Sequence, residues 1–147
     1  VTRPLAITLT VAVAVLTVVT VAIVLSLFTP DPLGDYPLQQ VIAVTDTAVI
    51  VEGTKCVDAD EPIHVAGGYS WYSADTPGLV IGRVEVATIR QPGCTTVRYS
   101  NAYPESITPG TWHLAGEECP INPNTGARNG RCRRWQTENF IVPDQGG

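Results

Sequence analysis

The chain has 147 residues and a formal net charge of -5, from 14 acidic and 9 basic residues. That excess of acid excludes a nucleic-acid partner, because phosphate binding needs a basic surface. Once the first 28 residues are set aside, the remainder suffices for one domain of ordinary size and is too short for two.

Taken in chain order, the first element is Leu5–Phe28, 24 residues without charge, Gly or Pro. As a helix it spans about 36 Å, enough to cross a hydrocarbon core of about 30 Å with some tilt. Its Val and Thr are poor helix formers in water, but in lipid the backbone must satisfy its own hydrogen bonds. Pro4 suits the first helical position and Pro30 ends the ladder. A cleaved signal peptide fits less well: the run is too long, Arg3 is its only basic residue, and no small-x-small site follows. Residues 1–28 are therefore expected to form a transmembrane anchor in contact with membrane lipid through residues 5–28. Arg3 places the N-terminus in the cytoplasm and the bulk of the chain outside. Thr8/Ala12 and Thr10/Ala14 are read as chance small pairs and not as a helix-pairing face, since no Gly-x-x-x-Gly accompanies them.

Residues 29–40, with three Pro and one Gly, read as an extended spacer between the anchor and a domain at 41–147. Short β-type runs separated by turn signals follow: Val41–Thr45, Ala48–Val57, Ile63–Ala66 and Tyr69–Tyr72 flanking Gly67-Gly68, Val80–Arg90, Thr95–Ser100, Thr111–Ala115 and Trp135–Val142. No stretch here has helical periodicity. The expected fold is all-β, a small β-sandwich outside the membrane. Cys56, Cys94, Cys119 and Cys132 all fall in this part, and an even count outside the cytoplasm implies two disulfides. Three connectivities exist. Cys56–Cys94 with Cys119–Cys132 is favoured, because the second bond closes the Gly/Asn/Pro-rich stretch between them.

The stretch Ile107-Thr108-Pro109-Gly110-Thr111-Trp112-His113-Leu114 is similar to the Pro-Gly-x-aromatic turn of bacterial immunoglobulin-like and fibronectin type III-like domains. The resemblance covers eight residues; it implies a sandwich and says nothing of a ligand. The separation of Cys56 and Cys94 around Trp71 is short for an antibody-type domain.

Catalytic and metal-binding patterns are weak. Gly68-Tyr69-Ser70-Trp71-Tyr72 is not a nucleophile elbow. His64 and His113 stand alone, so zinc is not expected. Asp58, Asp60 and Glu61 lack the later Gly and Glu of a calcium loop and read as a solvated turn. The expectation is a non-enzyme without cofactor, an uncharacterised hydrolase being the minor alternative. Arg128, Arg131, Arg133 and Arg134, followed by Trp135, form a basic strip in an acidic chain. They are the candidate partner-binding residues, toward a protein or an acidic envelope polymer. Tyr69, Trp71 and Tyr72 form a second aromatic group, partly core. Oligomeric state is not legible.

These features describe a single-pass, membrane-anchored, extracytoplasmic binding module. The alternative is a structural subunit of an envelope or virion complex. The Arg-over-Lys bias, abundant Ala and Val, and Val1 in first place suit a bacterial or bacteriophage gene.

Overall fold

The computed structural model describes residues 3–27, 31–34, 36 and 38–144. It divides into two compact units, residues 1–30 and 31–147.

The first unit holds one helix, α1, Arg3–Leu27, 25 residues long. Its described side chains are Thr10–Leu25 and Leu27, and all are exposed. Among the described residues no helix is long and apolar enough to cross a membrane. Leu5–Leu9 and Phe28, the ends of the expected span, lie outside the residues whose side chains are described.

Among its described residues the second unit contains eight strands: β1 (Gln40–Val44), β2 (Ala48–Val57), β3 (Ile63–Ser73), β4 (Val80–Arg90), β5 (Gly93–Ala102), β6 (Gly110–Ile121), β7 (Arg133–Gln136) and β8 (Phe140–Val142). One sheet has the order β1-β2-β5. The other has the order β4-β3-β6-β7, with β8 also on β6. All of these pairs are antiparallel. Alternation along the strands turns one face of each sheet inward. From β2 come Val49 and Val51. From the opposite sheet come Tyr69, Trp71, Trp112, Leu114, Trp135, Phe140 and Val142, and together these make one core. Trp71 meets Phe140 and Tyr103 edge-on, with ring centroids 5.9 and 5.6 Å apart. Such edge-to-face contacts suit the ring quadrupoles. The unit is thus mostly β, two sheets face to face, as the strand pattern implied.

Gly67-Gly68 is not a break between two strands. It lies inside β3, which runs unbroken past β6 with Gly67 opposite Glu118 and Tyr69 opposite Gly116. A Cβ on Gly67 would fall 2.0 Å from the Glu117 carbonyl oxygen, so glycine here permits close approach of neighbouring backbone and makes no turn. The single strand expected over Trp135–Val142 is divided: the Thr137 hydroxyl accepts the Leu114 N–H at 3.0 Å and so takes the place of a backbone carbonyl. Pro109-Gly110 does feed a strand. Gly110 has φ +145°, and the Asp75 carboxylate accepts the Thr111 N–H at 2.6 Å.

The stretch expected as a spacer is built into this unit from Asp31 onward. Leu33 is fully buried, bridges to Val57, and packs with Val57 and Val65 in a smaller core. Gln39 is also fully buried. It pairs in parallel with Thr137, so the chain crosses from the edge of one sheet to β1 of the other and closes that side.

Both disulfides have the expected connectivity, Cys56–Cys94 and Cys119–Cys132. Cys56 stands directly opposite Cys94 in the β2–β5 ladder. Cys119 and Cys132 extend the register that pairs Glu118 with Arg133. Each sheet therefore carries one cross-strand staple, both near the end where Asp31 enters.

Candidate functional site

Period-two alternation gives β3 and β6 an outer face as well as an inner one. Outward from β3 come Gly68, Ser70 and Tyr72; outward from β6 come His113, Ala115 and Glu117. Gly68, Ser70 and Ala115 are small, so the middle of the face is low. It forms an open trough of about 690 Å³ lined also by Arg83, Arg134, Gln136, Tyr36 and Leu38. Tyr72 and His113 stack at one end, ring centroids 5.4 Å apart and 13° from coplanar. Burial holds the His113 imidazole below its usual pKa, so it is neutral at physiological pH.

Two guanidinium groups stand on opposite sides of this floor. Arg83, from β4, is 65% exposed and pairs with Glu85 at 2.5 Å. Arg134, from β7, is 90% exposed and touches Glu117 at 3.3 Å. Exposed pairs of this kind contribute little, because water already solvates both partners. Either guanidinium can therefore turn to an incoming anion at small cost.

Beneath the trough, charge is buried between the sheets. Lys55 of β2 is 4% exposed and ion-pairs with Glu118 of β6. Glu118 also accepts from Tyr36 Oη at 3.0 Å and from Arg90 at 3.1 Å. The Lys55 ammonium lies 5.1, 5.8 and 5.0 Å from the centroids of Tyr36, Tyr99 and Trp135. Desolvation pushes the Lys55 pKa down and Glu118 pulls it back only in part. Burial raises the Tyr36 phenol, with Glu118 adding to the rise, and burial raises Tyr99 likewise. This cluster joins the two sheets, and of its members Tyr36 and Trp135 also line the trough.

In the basic strip Arg128, Arg131 and Arg134 are exposed, Arg133 is half-buried and Trp135 is not at the surface. Trp135 is 6% exposed and belongs to the core. Arg133 donates to the Leu33 carbonyl and to Asp31, both at 2.7 Å, and so ties down the entering chain. Arg131 approaches Asp31 at 3.7 Å. Arg128 donates to the Gly130 carbonyl at 2.8 Å within its own hairpin. Of the five, Arg134 alone is an exposed side chain on the trough.

His64 and His113 are not brought together. His64 lies opposite Ile121 and His113 opposite Tyr72, eight β3 positions apart, a separation of about 26 Å along a strand. The Asp58, Asp60, Glu61 turn is exposed, near His64 and away from the trough. Among the described residues the one cluster with metal-ligand spacing is Glu117, Cys119 and Cys132, and its sulfurs are consumed in a disulfide. No serine–histidine hydrogen bond occurs among the described residues. Comparison with protein-family models, with curated proteins and with solved structures yields no match.

Proposed function

We propose that this chain is a membrane-anchored, extracytoplasmic binding module whose outer sheet face takes an acidic partner at the cell envelope. The observation that carries the reading is the trough, with a small-residue floor between Arg83 and Arg134 on a chain otherwise rich in acid. A concave sheet face with two available guanidinium groups suits carboxylate or phosphate groups on a polymer or protein.

The anchor is supported by the uncharged run Leu5–Phe28. The two disulfides suit an oxidising compartment. An immunoglobulin-like sandwich is supported by strands that cross between two antiparallel sheets, β1-β2-β5 and β4-β3-β6-β7.

Two measurements test this reading. The full chain should resist carbonate extraction from membranes while its C-terminal unit is cut by protease added outside. Purified envelope material should retain the detergent-solubilised chain, less so as salt rises, because exposed charges are screened beyond about 8 to 10 Å. Release by carbonate counts against the anchor, and salt-independent retention counts against the acidic partner.

A further inference from the structure

The sandwich is open along β5. Strand order leaves β5 at the end of its sheet, and among the described residues nothing pairs with its far side. Directly opposed residues of an antiparallel pair alternate between hydrogen-bonded and non-hydrogen-bonded, the latter having Cα atoms about 4.5 Å apart instead of about 5.5 Å. The Cα atoms of Cys56 and Cys94 are 4.0 Å apart, so this pair is of the non-hydrogen-bonded kind. Alternation then fixes the rest: odd-numbered β5 residues bond to β2. The Tyr103 N–H, which donates to the Thr47 carbonyl at 3.1 Å, continues that series. Cys94, Thr96, Arg98 and Ser100 therefore turn both N–H and C=O groups to the open edge, and all four residues are exposed.

Free edges are usually blunted by bulges, charges or proline. The β4 edge is: its register shifts beside Gly82, which has φ +58°, and Arg83 and Glu85 follow. The β5 edge is not. Its ten residues pair with β2 without a shift, contain no proline and carry one charge, Arg98.

We propose that a second copy of this chain adds to β5, joining two three-stranded sheets into one six-stranded antiparallel sheet about a two-fold axis at Val97. The register follows from chemistry. With Val97 opposite Val97 of the second copy, Thr96 faces Arg98 and Cys94 faces Ser100. Every edge group of these four residues is then bonded, and side chains keep to matching faces. A shift one way sets Arg98 against Arg98, a like-charge pair. A shift the other way sets Ser100 against Pro92, which has no N–H to donate. The self-complementary edge is thus the argument for a second copy over an unrelated extended peptide. The proposal does not depend on what the trough binds.

The test is sedimentation of the full chain in detergent, as wild type and as Thr96→Glu, Thr96→Lys and Ser100→Pro. In the proposed register residue 96 faces Arg98 twice per dimer. Thr96→Glu should tighten the dimer and Thr96→Lys loosen it, each by about fivefold or more in dissociation constant. Ser100→Pro removes an edge donor that β2 does not use, and should leave a folded, oxidised monomer. Two results overturn the proposal. One is a wild-type chain monomeric at every attainable concentration. The other is a dimer unmoved by the two opposite charges at position 96, which would place its contact elsewhere. Should Ser100→Pro fail to fold, the charge pair alone decides.

Discussion

Glu118 is the residue on which the interior electrostatics turn. It compensates Lys55 and takes hydrogen bonds from Tyr36 and Arg90, all within the sandwich. Removing one partner of a buried pair leaves the other uncompensated, a loss of about 3–5 kcal/mol. Glu118→Ala should lose that amount in urea unfolding. Lys55→Met should lose less, because Arg90 and Tyr36 still compensate the carboxylate. Tyr99 gives the opposite case. Its hydroxyl is buried without a partner among the described residues, so Tyr99→Phe removes an unsatisfied group. Stability at neutral pH should stay within about 0.5 kcal/mol or rise. Its pH dependence has a definite sign. Burial raises the folded phenol above 10.0, so above that pH the unfolded state binds fewer protons and stability falls as pH rises. Lys55, with its lowered pKa, acts in the other direction below its unfolded value. The difference between Tyr99→Phe and wild type isolates the phenol, and the variant should decline less steeply above pH 10.

Among the elements, β2 and β4 were fully legible, because both are β-branched runs bounded by turn residues. β3 was not, because Gly-Gly reads as a turn unless a neighbouring backbone requires it. The requirement comes from β6, distant in sequence. Gly67→Ala should cost about 1–3 kcal/mol, as overpacking does, since the new methyl would meet the Glu117 carbonyl oxygen. Thermal unfolding checks this, and a loss below about 0.5 kcal/mol would show that β6 can yield. The disulfides were legible from compartment and loop closure, although their cross-strand geometry was not. The entry segment looked like a spacer because three Pro and a Gly dominate its composition. Composition does not show that Leu33 has a pocket between Val57 and Val65.

For the whole molecule, a two-sheet β architecture followed from strand spacing alone. The candidate site did not. Arg128, Arg131, Arg133, Arg134 and Trp135 lie close in sequence, but neighbours in a strand point to opposite faces, so Trp135 enters the core while Arg134 stays exposed on the trough. The trough arises from β3, β4, β6 and β7 together, so only its alternating small residues, Gly68-x-Ser70, left a trace in sequence. Because the trough depends on two exposed guanidinium groups, it can be disarmed without disturbing the core. Retention on purified envelope material, compared between the full chain and Arg83→Ser/Arg134→Ser, tests the account most directly. Retention should fall roughly tenfold, as for loss of charge-assisted contacts, with an unchanged melting temperature. A folded double variant retained as strongly as the wild type would contradict it.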